Sequence, residues 1–404
     1  MDSISLKKSF PIFTNQPELV YLDSAATALK PISVIDAERY YSEHISSNIA
    51  RGTYPLAEQA TEAFENTRKK AAAFLNAQPE EIIFTTGTTH GLNLVAQLLE
   101  TRIEPGDNLI VTAAEHHSNF LPWKELAKRR GAELRVLPVL PDGTIEQNAL
   151  ASLVDVHTKV LAFSAISNVL GIINPVASIT KTVRAINPDA LIVVDAAQAI
   201  GHIPVDVVLW DVDFLAFSGH KMFGPTGTGI LFGKHAILET LTPVSFGGGM
   251  VLDACAPETL YKKSPACFEA GTPHIAGIIG LGAAFDFITA IGITNIRSHD
   301  VSLLSYALRR LAETFGKTLQ IIGTQDLEQK SGILSFMMTA IHPHDVAYLL
   351  GEKNICVRAG LQCAAPLHQA LDLSASIRLS LSVYNTEADI DQLITGLQRV
   401  RTIL

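Results

Sequence analysis

The run Asp213-Phe-Leu-Ala-Phe-Ser218-Gly-His220-Lys221-Met-Phe-Gly224-Pro-Thr-Gly-Thr-Gly229 constrains the fold most, because an apolar, strand-like stretch delivers a single lysine into a Gly-rich turn. An amine is a nucleophile near neutral pH only where its surroundings lower its pKa, and a Schiff base with an aldehyde cofactor meets that need. Ser218 and His220 flank Lys221 with hydrogen-bonding groups suited to a cofactor phosphate. The plainer alternative is an ordinary solvated lysine after a strand.

A second run, Ala190-Leu-Ile-Val-Val194, reads as a buried parallel strand and ends on Asp195-Ala-Ala-Gln198. Ligands of open α/β sheets bind at the carboxyl ends of the strands, so Asp195 and Lys221 can reach one pocket. There Asp195 either pairs with the pyridinium nitrogen of pyridoxal phosphate (PLP) or caps the next helix. Further strands are predicted at Glu81–Thr85, Asn108–Thr112 and Lys159–Ser164, with a helix over 55–76; beyond Lys221 come Gly229-Ile-Leu-Phe-Gly233 and a flexible Gly-rich turn at Phe246-Gly-Gly-Gly249. The first of these strands feeds Thr86-Gly87-Thr88-Thr89-His90-Gly91 and a helix, which collects free N–H groups and hydroxyls into an anion site. Simple N-capping by Thr88 accounts for less of that run.

Downstream, Ile275 to about Ile291 reads as a helix, Ile333–Met338 and Ile355–Arg358 as strands, and Glu387–Leu404 as the last helix. Cys363 lies in a Gly-Leu-Gln-Cys-Ala-Ala-Pro turn after Arg358, where cationic charge favours a thiolate nucleophile. Cys356 alternates within an apolar strand and reads as packing; Cys255 and Cys267 lack the setting of Cys363. Arg378, in Ser376-Ile-Arg-Leu-Ser-Leu-Ser382, offers a guanidinium fork to a substrate carboxylate or else forms a structural ion pair. His116 and His117 raise a metal site as an alternative to cofactor stacking, but no matching ligand spacing follows.

Together these motifs resemble the class V aminotransferase-like PLP enzymes and, more closely, the SufS-type (group II) cysteine desulfurases and selenocysteine lyases. The carriers are Asp195-Ala-Ala-Gln198 and Ser218-Gly-His-Lys221, with Leu22-Asp-Ser-Ala-Ala26, Thr86-Gly-Thr-Thr89, Glu115-His-His117, Phe268-Glu-Ala-Gly-Thr-Pro273 and Arg358-Ala-Gly-Leu-Gln-Cys363-Ala-Ala-Pro366, in order along nearly the whole chain. The resemblance implies PLP fold type I: a large α/β domain with a mostly parallel seven-stranded sheet flanked by helices, plus a smaller α/β C-terminal domain. The expected division is an N-terminal arm over 1–20 packing with the small domain, a PLP-binding domain over 21–285, and a small domain over 286–404 carrying the cysteine loop. By the same resemblance His116 lies over the pyridine ring and shuttles protons, Asn168 bonds the phenolic oxygen, and Thr88, Thr89, Asp195, Gln198, Ser218 and His220 hold the cofactor. Thr272 completes the partner's phosphate site in a homodimer, the region 250–267 forms a hairpin toward that partner, and Arg358 and Arg378 lie by the substrate.

The implied activity is conversion of L-cysteine to L-alanine with a persulfide on Cys363, passed to an acceptor such as a SufE-like protein and on to iron–sulfur clusters or other sulfur traffic. Selenocysteine or cysteine sulfinate are alternative substrates; another C–S lyase, an aminotransferase and a non-catalytic scaffold are alternative classes. The chain departs from the family pattern at Leu361, Gln362 and Tyr54, where histidines are usual.

Composition narrows the partners. With 404 residues, 48% of them apolar, the chain can bury a large core, and 31 basic against 40 acidic residues give a net charge of -9. Lys128-Arg-Arg130 is the densest basic cluster and reads as a solvated helix face, so neither nucleic acid nor an acidic membrane surface is expected as a partner. Four cysteines without a CxxC pair point to a reducing compartment, and the N-terminal segment has no apolar core of the secretory kind, so a cytoplasmic location is expected.

Overall fold

The structure is a computed structural model and describes residues 3–255 and 257–403. Five of the predicted strands form a sheet with two neighbours that the sequence pattern did not assign as strands. In chain order they are β1 Ile82–Thr85, β2 Asn108–Thr112, β3 Glu133–Leu137, β4 Thr158–Ser164, β5 Leu191–Asp195, β6 Phe214–Ser218 and β7 Gly229–Gly233, arranged β1-β7-β6-β5-β4-β2-β3. All neighbours are parallel except β7, which runs antiparallel to both β1 and β6. Of the two unassigned strands, β3 is a sheet edge; four of its five residues are at least partly exposed, so no continuous apolar run marks it, and the other, β7, is only three apolar residues between two glycines.

Alternation along the strands fills both faces of the sheet. Ile110, Leu161, Phe163, Ile192, Val194, Leu215 and Phe217 enter one core, with the helices Ile32–His44, Pro55–Leu75 and Ile275–Ile291. Leu109, Val111, Val160, Ala162, Val193, Phe214 and Ala216 enter the other, under the helices Thr88–Leu98 and His117–Arg130. Helix Pro55–Leu75 starts on a proline, carries Glu58 in its first turn and stops at Asn76 in the left-handed region (φ 57°).

Helix Ile293–Phe315 leads to a second, antiparallel sheet: β8 Leu319–Ile322, β9 Ile333–Met338, β10 Arg358–Gly360 and β11 Ser376–Ser380, in the order β8-β9-β11-β10. Its core, with Leu303, Phe336, Ile377 and Leu393, also takes Val20 and Leu22. The strand Val20–Tyr21 pairs in parallel with Ile355–Cys356. Upstream, Lys7 is 3.0 Å from Asp389, and Phe10 packs edge-on against Tyr384 and Phe287. Val251–Asp253 and Leu260–Tyr261 form a short antiparallel hairpin. No single helix among the described residues is long and apolar enough to cross a membrane.

One buried ion pair ties β1, the sheet edge opposite β3, to the segment beyond that hairpin. Arg68, 4% exposed, donates to both carboxylate oxygens of Glu269 (2.8 and 3.0 Å) and to the Ile82 carbonyl (2.7 Å), while Glu269 also accepts the Phe84 N–H (2.7 Å). Arg68→Met removes one partner and leaves the carboxylate desolvated. Urea unfolding is expected to show a loss of about 3 kcal/mol or more, and a loss below 1 kcal/mol would mean the pair carries little of the fold.

Candidate active site

Asp195 closes β5 and Lys221 follows β6, and adjacent parallel strands bring both to a cavity of about 200 Å3. The cavity is lined by Thr88, Thr89, His116, Asn168, Asp195, Gln198, Ser218, His220, Lys221, Arg358 and Arg378. Eleven of the thirteen residues expected at the site from sequence are thus brought together. Burial lowers the pKa of Lys221 to about 8; Asp195 opposes that shift, and Arg378 and Arg358 reinforce it. Burial also raises Asp195, against the attraction of Lys221 and the Ala197 N–H that it accepts at 2.8 Å. Gln198 is fixed by donating to the Ala25 carbonyl (2.8 Å).

Ser218 Oγ accepts the Thr88 N–H at 2.8 Å and lies 2.7 Å from Thr88 Oγ1, and Thr89 Oγ1 is 2.7 Å from Ser118 Oγ. This gathers four hydroxyls at the start of helix Thr88–Leu98, the geometry of an anion cradle. Gly87 makes the approach with φ 147°, and a Cβ there would lie 3.1 Å from Ser218 Oγ. His116 is the N-cap of helix His117–Arg130: its Nδ1 accepts the Ser118 N–H (3.1 Å), which leaves the ring proton on Nε2. Burial, then Lys221, lowers its pKa to about 4, so the ring is neutral at pH 7. Its neighbour Glu115 is fully buried and accepts from Thr112, Asn119 and Ser164, with burial pushing it up to about 7.

The second sheet supplies the cationic side. Arg358 on β10 and Arg378 on β11 are register partners, which sets two positive side chains on one face of the strand pair. Like charges so placed repel, and an anion between them removes the repulsion. Arg378, 1% exposed, donates to Asp23 Oδ1 (2.8 Å) and to the Asn168 carbonyl (2.9 Å), so it is an ion-pair member and a wall of the cavity at once. Burial pulls its pKa below the ordinary arginine value, against the pull of Asp23.

Cys363 Sγ lies 3.7 Å from Arg358 Nη2. The thiol is half-buried, and both Gln362 and Cys363 have left-handed backbones (φ 52° and 57°). Three contacts hold this turn: Cys363 O accepts the His117 N–H (2.7 Å), His117 Nε2 accepts the Ala365 N–H (3.2 Å), and Gln362 O accepts from Asn168 Nδ2 (2.7 Å). His117 and Gln362 are therefore part of the site, and Gln362 also lines the cavity. The adjacent histidines were the signal, but the second one serves a backbone, and no group of three metal-ligating side chains is assembled among the described residues. Burial raises the thiols of Cys267, to about 11, and Cys356, whereas Cys255 is exposed on the hairpin side.

Thr272 lies apart, in separate cavities lined with Gly271 and Pro273 and, in the larger, Arg51 and Lys262.

The fold and this site define a class. Residues 20–393 match the family described as aminotransferase class-V, and the chain belongs to that family. Among curated relatives it is 44% identical over 405 residues to a cysteine desulfurase of Cronobacter sakazakii, covering 99% of this chain and 98% of the relative. It is 45% identical over 406 residues to a probable cysteine desulfurase of Halalkalibacterium halodurans, with the same coverage. Among solved structures, the apo cysteine desulfurase of Thermococcus onnurineus NA1 superposes with TM-score 0.94 at 34% identity, over 99% of this chain and 98% of that one. The Escherichia coli cysteine desulfurase CsdA (S-sulfonic acid) gives 0.92 at 35%, over 100% and 99%.

Burial lowers three lysines to about 8: Lys30, Lys221 and Lys330. Each is charged below that pH and neutral above it. Carbon-13 NMR of ε-labelled lysine in the cofactor-free protein is expected to show three signals titrating near pH 8, one of which vanishes in Lys221→Ala. Titration of the lost signal near pH 10.5, the ordinary lysine value, would refute the lowered amine.

Proposed function

We propose that this chain is a PLP-dependent cysteine desulfurase, a sulfurtransferase that converts L-cysteine to L-alanine and holds the sulfur as a persulfide on Cys363. One observation carries the reading: a single cavity joins a buried lysine and aspartate to two register-paired arginines, and a thiol lies 3.7 Å from one of those arginines. The full-length relatives named cysteine desulfurase support it.

The donor set fits PLP. Asp195 offers a carboxylate to the pyridinium nitrogen, the neutral His116 ring a stacking surface, and Lys221 an amine for the aldehyde. The hydroxyls of Thr88, Thr89 and Ser218, with His220, suit the phosphate; Asn168, with one Nδ2 proton beyond the bond to Gln362, and Gln198 suit the ring substituents. When bound, PLP supplies an electron-withdrawing ring that stabilises negative charge at the substrate α-carbon.

The residues of the chain then divide the work. Arg378 and Arg358 orient the α-carboxylate. Lys221, neutral above its lowered pKa, takes the proton from the α-carbon. Cys363, as a thiolate beside Arg358, attacks the substrate sulfur: an S–S bond forms as the substrate C–S bond breaks, and the carbon keeps the electron pair and takes a proton. L-cysteine and the enzyme thiol thereby become L-alanine and a persulfide.

On this reading the domain from 21 to 285 holds the cofactor, and the domain from 286 to 404 brings Arg358, Cys363 and Arg378. A homodimer is supported by the hairpin, which exposes Leu252 and Leu260 beside the exposed Phe246, and by the separate cavity at Thr272, which a second copy would use as part of its own phosphate site. A SufE-like acceptor is supported by Leu361, an exposed apolar side chain two residues from Cys363. A persulfide needs a free thiol, which suits a reducing cytoplasm.

Purified, PLP-loaded protein given L-cysteine and a thiol reductant is expected to yield equal amounts of alanine and sulfide. Lys221→Ala should lower the rate on the order of 10^3-fold, and Cys363→Ala should abolish sulfide release from cysteine. Pyruvate and ammonia as products, or full activity in Cys363→Ala, would move the protein to a C–S lyase or to selenocysteine and sulfinate chemistry, which need no thiol nucleophile.

A further inference from the structure

Between β4 and helix Val176–Ile186 the chain makes a tight loop that carries Asn168 into the cavity. Its successive carbonyls are taken one by one from the small domain. Asn168 O accepts from Arg378 Nη1 (2.9 Å), Val169 O from Ser335 Oγ (2.6 Å), Leu170 O from Lys330 Nζ (2.6 Å), and Gly171 O from the Ser331 N–H (2.8 Å). Ile172 then bridges to Lys330. Gly171 has φ 70°, and a Cβ there would come within 2.6 Å of the Ile333 carbonyl, so the loop backbone lies directly against the start of β9.

Lys330 is the unusual member of this row. It is wholly buried, and burial alone is what lowers its pKa, with no carboxylate opposing the shift. A desolvated ammonium is strongly disfavoured, and an apolar side chain of similar length would fill the same space without that penalty. What the ammonium adds is a directional, charge-assisted hydrogen bond to one carbonyl. That carbonyl is two residues from Asn168, and the donor two places along the row, Arg378, itself lines the cavity.

We propose that Lys330 is a positioning residue: with Ser335 it clamps the carbonyls of Val169 and Leu170, and so fixes Asn168 at the cofactor site. The consequence for chemistry rests on the PLP reading above; the clamp itself does not. Lys330 does not line the cavity, and acts through the loop.

The test uses Lys330→Met, which keeps length and apolar bulk, and Ser335→Ala, which deletes only a hydroxyl. Hydrogen exchange of the Leu170 and Gly171 amides, which bond to Ser167, is measured in the cofactor-free protein. The pH titration of the visible absorption band is measured in the PLP-loaded protein, with Asn168→Ala as the reference. Expected is exchange faster on the order of tenfold in Lys330→Met, less in Ser335→Ala, and a band titration displaced in the same direction as in Asn168→Ala. Unchanged exchange in both variants would overturn the clamp. Faster exchange with an unmoved titration, where Asn168→Ala does move it, would overturn the positioning of Asn168. An unmoved titration in Asn168→Ala would instead refute its role at the cofactor, and the clamp would stand or fall on exchange alone. Should Lys330→Met not fold, Ser335→Ala decides by the same two readouts.

Discussion

Everything at this site follows from holding a lysine and an aspartate out of water in the same cavity without letting them neutralise each other. Asp195 acts on Lys221 through space, and burial outweighs that attraction, so the amine ends below its ordinary pKa. Adjacent parallel strands achieve this placement because their ends emerge side by side at one edge of the sheet, with helices covering both faces. The anion cradle at Thr88, the neutral His116 and the arginine pair are arranged around that first arrangement of charge.

The two halves of the site are built by different means. The large sheet presents Asp195, Ser218 and Lys221 at strand ends, so their positions are inherited from the sheet ladder. The small sheet presents Arg358 and Arg378 from the middle of a strand pair, where register sets their mutual position. Cys363 belongs to neither: a left-handed turn bound by His117 and Asn168 holds it. The thiol therefore has a backbone address set partly by helix His117–Arg130 and the loop after β4, although its own chain segment runs between two strands of the small sheet.

Much of this was legible in the sequence, and what was not has a common cause. Continuous apolar runs ending on Asp195 and on Ser218-Gly-His-Lys221 announce buried strands and what they deliver. Pattern failed at β3, whose exposed edge has no such run. It was silent on Lys330 and Ser335 and offered His117 only as a metal ligand, because their partners are main-chain groups distant in sequence, which leave no trace in residue type. Arg378 was read as either a carboxylate ligand or a structural ion pair; its bond to Asp23 and its place on the cavity wall make the alternatives compatible.

The reversal of direction at β7 bears on how the lysine is presented. Because β6 and β7 are hydrogen-bonded neighbours, with Ser218 opposite Gly229 and Phe217 opposite Ile230, the segment bearing Lys221 leaves and re-enters the same ladder. Within it, the Gly219 N–H donates to the Thr228 carbonyl and the Gly224 N–H to the Gly219 carbonyl. A loop closed at its own base has little room to wander, so most of the entropy of presenting the amine is surrendered when the sheet forms rather than when a ligand arrives. Residues inserted between Ser218 and Gly229 would return that freedom to the segment, and ligand binding would have to remove it again.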